Sequence, residues 1–175
     1  PLQFSSMSEL KQFKKTYEGV PEFKLYGNER HIPAFIQGQF PGEIPYDRRL
    51  IDIASIDIET SFGDGFPEID NPINEILTIA YKSSRSDTYI VWGLKPYNEE
   101  ITQLKHLKIE YRQYADEMSM LDAFIEYWST PENTPDIITG WNTRFFDIPY
   151  MTSRMVFLLG EERVKCLSPW RKIER

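Results

Sequence analysis

At 175 residues and 20.7 kDa, the chain has the length of one average domain and is long enough to bury a sizeable core. Its composition, 41% hydrophobic and 27% charged, is typical of a globular protein and excludes global disorder. The net charge of −7 argues against a protein that coats nucleic acid by electrostatics alone.

The sequence also excludes a membrane-spanning protein and a protein held together by internal disulfides. No apolar run approaches the roughly 20 residues of a membrane span, and the first residues have neither a basic region nor an apolar signal core. We therefore expect a cytoplasmic protein with no membrane partner. The single cysteine, Cys166, excludes an internal disulfide, and one cysteine with two histidines excludes a zinc finger. Any metal site must then consist of carboxylates.

The first 47 residues predict a helical lead-in followed by an irregular segment. Ser6 suits the cap of a helix, and the helical spacing then places five residues on one side of it: Met7, Leu10, Phe13, Lys14 and Tyr17. Residues 27–47, beginning with Gly27, are punctuated by glycine and proline, which is typical of turns. The main domain is expected to start at residue 48.

The middle of the chain predicts three consecutive strands. Leu50 to Ile58 is β-branched and apolar almost throughout, which is typical of a central strand buried on both faces. Ile76 to Tyr81 and Thr88 to Trp92 follow as further strands, separated by the polar turn 83–86. Together they predict a meander.

Helices and strands alternate in the second half. Lys108 to Tyr114 predicts a strand, and Asp116 or Ser119 caps a helix that carries Leu121, Phe124, Ile125 and Trp128. Asp136 to Gly140 predicts a short buried strand. The helix from Asp147 to Leu159 turns Ile148, Met151, Met155, Leu158 and Leu159 inward and ends at Gly160. The pattern indicates an α/β fold with a mixed sheet flanked by helices.

Two carboxylates on the first strand are candidates for chemistry. Asp57 and Glu59 are two residues apart, so both side chains point to the same face. Like charges at the end of an apolar strand call for a compensating cation, and Mg²⁺ or Mn²⁺ prefers such oxygen ligands. The alternative is a strand end that emerges into solvent with two acids of no function.

A second group of candidates lies where a short strand ends and a helix begins. Asp147 is the third acid of interest, although an acid at a helix start also satisfies free N–H groups and the helix dipole. Asn142 could equally be a turn residue, and Phe145 and Phe146 could be core residues.

The combination resembles a known family. A strand with Asp57-Ile58-Glu59-Thr60, followed by Asn142-x-x-x-Phe146-Asp147, is similar to the first two exonuclease motifs of family B DNA polymerases. Further segments look like the polymerases of T-even-like phages: Tyr26-Gly27, Phe40-Pro41-Gly42, Gly65-Phe66-Pro67-Glu68, Thr139-Gly140-Trp141-Asn142, Phe146-Asp147-Ile148-Pro149-Tyr150 and Leu167-Ser168-Pro169. The resemblance covers essentially the whole chain and implies a ribonuclease H-like fold and a proofreading 3′→5′ exonuclease.

The resemblance also implies roles for the three acids. Asp57 would bridge two metal ions, Mg²⁺ or Mn²⁺, while Glu59 completes one site and Asp147 serves the other. In such two-metal hydrolysis one ion lowers the pKa of the attacking water, and the other stabilises charge on the leaving 3′ oxygen.

DNA-binding roles are implied for three further residues. Phe66 occupies the family position that stacks on the 3′-terminal bases, and Asn142 and Phe146 lie where the frayed strand would run. Stacking on aromatic rings tolerates any base, as proofreading requires. The alternative for Phe66 is a loop aromatic that packs on its own domain.

The family's third motif, Tyr-x-x-x-Asp, does not occur before Arg175. We therefore interpret the chain as a piece truncated at its C-terminus, with residues 1–47 from the polymerase N-terminal domain and 48–175 from an incomplete exonuclease domain. The expected partners are a single-stranded or frayed DNA 3′ end, the rest of the polymerase and replisome proteins. Two alternatives stay open: an inactive fragment that binds single-stranded DNA, and a free-standing exonuclease of the same superfamily.

The basic residues near the end of the chain also have two interpretations. Arg163, Lys165, Arg171 and Lys172 could contact DNA phosphates or the rest of the polymerase, or they could form a solvated end. Cys166 is expected to be a packing residue, since nothing beside it suggests a reactive thiol.

Overall fold

A computed structural model describes residues 2–26, 31–63, 65–100 and 103–173, with the side chain of His31 left out. The chain divides into two compact units, Pro1–Tyr46 and Asp47–Arg175. Gly27, named above as a turn residue, and Arg175 lie outside the described residues. None of the described helices is both long and apolar enough to cross a membrane.

The first unit contains two helices. Helix α1, Met7–Tyr17, begins as predicted, because the Ser6 hydroxyl accepts a hydrogen bond from the backbone N–H of Glu9. Helix α2, His31–Gln39, lies where the sequence predicted turns, so that part of the prediction is wrong. Pro33 is in the first turn of α2, where its missing N–H needs no partner, and it therefore does not interrupt the helix.

The second unit is built on a mixed five-stranded sheet in the order β4-β3-β2-β1-β5. Antiparallel pairing joins β1 to β2 and β2 to β3, which confirms the meander, while β4 pairs parallel to β3 and β5 parallel to β1. The strands are β1 (Ile53–Thr60), β2 (Ile76–Ser83), β3 (Thr88–Gly93), β4 (Lys108–Gln113) and β5 (Ile137–Thr139).

Strand β1 is an interior strand of the sheet, but only one of its faces is buried. Ala54, Ile56 and Ile58 point into the core, while Ser55, Asp57 and Glu59 are exposed. The prediction of burial on both faces is therefore wrong. The error came from the apolar residues that precede the strand, which belong to a 3₁₀ turn at 48–50 and the segment that follows it.

Helices α3 (Glu117–Ser129) and α4 (Asp147–Leu159) pack against the sheet and close the core. Asp116 caps α3 by accepting the backbone N–H of Ser119 at 2.8 Å, one of the two caps that the sequence allowed. Helix α4 ends at Gly160, whose φ of +83° favours glycine. A short helix α5 (Glu161–Val164) and a 3₁₀ turn at 165–167 follow.

Strand β5 is exposed, although the sequence predicted a buried strand. It is the outermost strand beside β1, and Ile137 and Ile138 keep 47% and 41% of their surface exposed. The prediction used the apolar composition of the strand, whereas burial depends on a covering layer that the described helices do not provide here.

Candidate active site

The two acids of β1 lie side by side on the exposed face of the strand. Asp57 and Glu59 alternate with the buried Ile56 and Ile58, as the two-residue period predicted. Both carboxylates therefore leave the sheet in the same direction. The core side of the strand fixes their backbone, because Ile56 and Ile58 are almost fully buried.

Asp147 lies against β1 from the start of α4. Strand β5 pairs with β1 only as far as Ser55, so the next part of this edge has no strand partner among the described residues. One Asp147 carboxylate oxygen accepts the backbone N–H of Ile58 at 3.2 Å, across 89 residues of sequence. The acid that begins α4 is thus joined to the strand that carries Asp57 and Glu59.

Burial raises the pKa of the Asp147 carboxyl, and the negative charge of Asp57 raises the same pKa further. Only 4% of Asp147 is exposed. The hydrogen bond from Ile58 opposes the rise because it favours the charged form. Two acids that were 90 residues apart in the sequence are therefore close enough in space to influence each other.

The segment that leads into Asp147 approaches β1 closely at Gly140. A Cβ atom at Gly140 would lie 2.5 Å from the backbone oxygen of Ile56 and closer still to the Thr143 hydroxyl. Only glycine fits at this point without a shift of the backbone. The close approach places the segment before α4 directly against β1.

Asn142 has the backbone of a turn residue. Its φ of +57° lies in the left-handed region, which asparagine tolerates better than most residues. Its backbone oxygen accepts hydrogen bonds from the N–H groups of Phe145 and Phe146. The turn interpretation is therefore met, and the exposed side chain of Asn142 remains a candidate for DNA binding.

Phe66 and Phe146 are brought together by the fold. Their ring centroids are 5.3 Å apart with the planes at 52°, and Phe146 stacks on Tyr150 at 5.4 Å. Phe146 is half-buried, whereas 74% of Phe66 is exposed. Phe66 therefore rests on its own domain by one ring contact and still presents most of its surface to solvent.

Two buried polar side chains of α4, Tyr150 and Arg154, were given no role by the sequence analysis. They are buried on the same side of α4 as Met151 and Met155. The sequence did contain a signal for their burial, because the helical period places both positions on the side of α4 that faces the core. An arginine on such a stripe needs buried partners, and these are described below.

The donor set suits a hard divalent cation in its chemistry. Asp57, Glu59 and Asp147 offer carboxylate oxygens, the ligands that Mg²⁺ and Mn²⁺ prefer. A cation would also relieve the repulsion between Asp57 and Asp147. However, no group of three or more histidine, cysteine, aspartate or glutamate side chains within the described ranges is arranged so that it could hold a metal ion.

The basic residues near the end of the chain are partly engaged within the domain. Arg163 pairs with Asp122, and Lys165 pairs with Glu161 and Glu162. Cys166 is half-buried against the core, in keeping with a packing role.

The sequence of the chain is similar to those of known proteins. Residues 41–168 match the family described as DNA polymerase family B, exonuclease domain. The chain is 31% identical to the DNA-directed DNA polymerase of Escherichia phage RB69, over 97% of this chain and 21% of that protein. It is 29% identical to the DNA-directed DNA polymerase of Enterobacteria phage T4, over 99% of this chain and 21% of that protein. The chain spans about a fifth of the length of these relatives.

Proposed function

Because the chain belongs to the exonuclease domain family of family B DNA polymerases, we propose that it is the 3′→5′ proofreading region of a larger DNA polymerase. Its substrate is then the 3′ end of single-stranded or frayed DNA, and its reaction is the hydrolysis of the terminal phosphodiester. The observation that carries the proposal is the hydrogen bond from Ile58 to Asp147, which joins the third acid to the strand of Asp57 and Glu59.

The three acids act as ligands in this proposal, and none of them attacks the substrate. Asp57 and Glu59 would hold the cations from the exposed face of β1, and Asp147 would do so from the start of α4. The chemistry that Mg²⁺ or Mn²⁺ would supply when bound is a lower pKa of the attacking water and neutralisation of the charge on the leaving 3′ oxygen. Burial is the main cause of the raised pKa of Asp147, and the charge of Asp57 adds to it. The second effect supports this assignment, since a cation would offset the repulsion between the two carboxylates.

The aromatic residues orient the DNA end. The exposed ring of Phe66 offers a stacking surface to the terminal base, with Phe146 behind it and Asn142 along the path of the strand. Stacking on an aromatic ring contributes about 1–3 kcal/mol per base and does not depend on the base. Such binding suits an enzyme that removes any misplaced nucleotide.

The remaining proposals concern the whole protein. Residues 1–47 would form part of the polymerase N-terminal domain and 48–175 part of the exonuclease domain. The partners would be the rest of the polymerase chain and other replisome proteins, and the site of action would be the cytoplasm of the host cell, since the relatives are phage proteins.

The proposal is tested by the shortening of single-stranded DNA that carries a 5′ label, with Mg²⁺ and then Mn²⁺. We expect stepwise loss from the 3′ end that disappears in Asp57→Ala. Asp87→Ala is the matched control, because Asp87 lies in the turn at the opposite end of the β1–β2 pair from Glu59. Shortening that is equal in Asp57→Ala and the parent would contradict the proposal.

A second candidate function is binding of single-stranded DNA without hydrolysis. It is favoured by the finding that the described residues hold no ready cluster of three metal-binding side chains. In this case Phe66→Ala weakens DNA binding, Asp57→Ala does not, and no variant of the chain shortens DNA. Cleavage by the parent chain excludes it.

A further inference from the structure

A buried ion pair outside the acid cluster links three parts of the domain. Glu117 and Arg154 keep only 6% and 8% of their surface exposed. The guanidinium of Arg154 meets both oxygens of Glu117, with Nε at 3.0 Å from Oε1 and an Nη at 2.6 Å from Oε2. Glu117 begins α3 and Arg154 lies on α4, so the pair connects the two helices.

Arg154 reaches beyond its partner to the loop that carries Phe66. We call residues 65–75, between β1 and β2, the Phe66 loop. A second Nη of Arg154 donates to the backbone oxygens of Pro72 at 2.8 Å and Ile73 at 3.2 Å. Oε1 of Glu117 also accepts the backbone N–H of Ile76, the first residue of β2, at 2.7 Å.

Tyr150 holds the same loop one helical turn earlier on α4. Its hydroxyl donates to the backbone oxygen of Asn74 at 2.7 Å, and its ring stacks on Phe146. Phe146 in turn contacts the ring of Phe66. One face of α4 therefore holds the returning arm of the loop at one end and supports the Phe66 ring at the other.

A buried ion pair is a poor source of stability, because an apolar pair of similar volume is often as stable or more so. An arginine, however, has five N–H donors in a planar fork and can bind a carboxylate and two carbonyls at once. An apolar side chain cannot satisfy the backbone oxygens of Pro72 and Ile73. What the pair adds is thus a fixed position for the loop.

We propose that Arg154, oriented by Glu117, is a positioning residue that fixes the Phe66 loop so that Phe66 meets the 3′-terminal base in a single geometry. The inference rests on the proposed function, since it concerns the stacking role of Phe66. In this proposal Arg154 contacts neither the DNA nor the three candidate metal ligands, Asp57, Glu59 and Asp147. It acts only through the Phe66 loop.

The test uses a neutral replacement of the pair, Glu117→Gln with Arg154→Met, in the whole chain. Gln keeps an acceptor for the N–H of Ile76, and the double change leaves no unpaired charge in the interior. Loss of the charge-assisted bonds should speed amide hydrogen exchange of the Phe66 loop by about tenfold. Exchange in β3 should not change, whereas a general loss of stability would speed exchange in both the loop and β3.

DNA binding is measured with single-stranded DNA that carries 2-aminopurine at its 3′ end, whose fluorescence falls on stacking. We expect Phe66→Ala to weaken binding by roughly tenfold. The neutral pair should weaken it by roughly threefold in the parent chain and have no effect in the Phe66→Ala background, because the loop then carries no ring to position. Additive effects would overturn the inference.

The control is the matching pair of changes at a surface ion pair that lies in no proposed site, Asp47→Asn with Arg49→Met, which should alter neither readout. If the variant with both buried changes does not fold, Arg154→Lys is the second test. Lysine keeps the positive charge but lacks the planar set of N–H donors that arginine has. Unchanged loop exchange in that variant overturns the inference, and faster exchange with weaker stacking supports it. If Phe66→Ala itself binds like the parent, the inference and the stacking part of the proposed function fail together. If only the Arg154 variants bind like the parent, the inference alone fails.

Discussion

Gly140 offers a direct test of the close approach between β1 and the segment that leads to Asp147. In Gly140→Ala the new Cβ would lie 2.5 Å from the Ile56 oxygen, whereas ordinary contact begins at 3.4 Å. A backbone oxygen in a central strand cannot move aside as a flexible side chain can. We expect a cost of about 2 kcal/mol in the free energy of unfolding, typical of overpacking at a tight site.

The assay is urea denaturation followed by tryptophan fluorescence, since Trp92 and Trp128 are buried in the core of the second unit. A cost of this size lowers the urea midpoint by about 1 M. Gly38→Ala is the matched control, because a Cβ there meets nothing within 4 Å and the residue lies in α2. It should leave the core transition unchanged.

A change at Thr143 distinguishes the two contacts that a Cβ at Gly140 would make, one with the Thr143 side chain and one with the Ile56 backbone oxygen. The Thr143 hydroxyl, which has no hydrogen-bond partner among the described residues, is nearest to the added Cβ. Thr143→Ala in the Gly140→Ala background should therefore recover only part of the loss, because the clash with Ile56 persists. A Gly140→Ala midpoint equal to that of the parent refutes the close approach.

Three further outcomes follow from the acids. Asp147→Asn should be more stable than the parent at neutral pH in EDTA, because burial and Asp57 raise the pKa of Asp147 and penalise its charged form. That advantage should shrink as the pH falls through the raised pKa, since the parent then gains its proton, and urea midpoints at several pH values show whether it does. Added Mg²⁺ should raise the urea midpoint of the parent but not of Asp57→Asn, and an equal rise in both argues against Asp57 as a ligand. Asp116→Ala should lower the midpoint more than Asp116→Asn, which still accepts the N–H of Ser119, and equal midpoints would contradict the cap.

Local signals predicted most of the secondary structure. The caps at Ser6 and Asp116 and the apolar periods of α1, α3 and α4 are properties of a few neighbouring residues, and the structure confirms them. The sequence analysis missed helix α2 because it counted every glycine and proline as a helix breaker, whatever its position along the helix. The exposure of β5 was missed because burial depends on what covers a strand.

The candidate site was predictable only in pieces. The shared face of Asp57 and Glu59 follows from the strand period and needs no tertiary information. The bond from Ile58 to Asp147 depends on where β5 stops pairing with β1, which no local pattern encodes. The same is true of Arg154, whose partners come from the far end of a loop and from another helix.

The outer edge of β5 has a consequence for handling the protein. Among the described residues no strand pairs with the outer edge of β5, and Ile137 and Ile138 are exposed. Such an edge presents backbone groups to a neighbouring chain, which is the usual template for edge-to-edge aggregation. The strand is only three residues long, so an incoming chain can form few hydrogen bonds with it. The short length of β5 therefore limits such pairing, and Ile138→Lys should limit it further, with higher solubility at high concentration as the measured result.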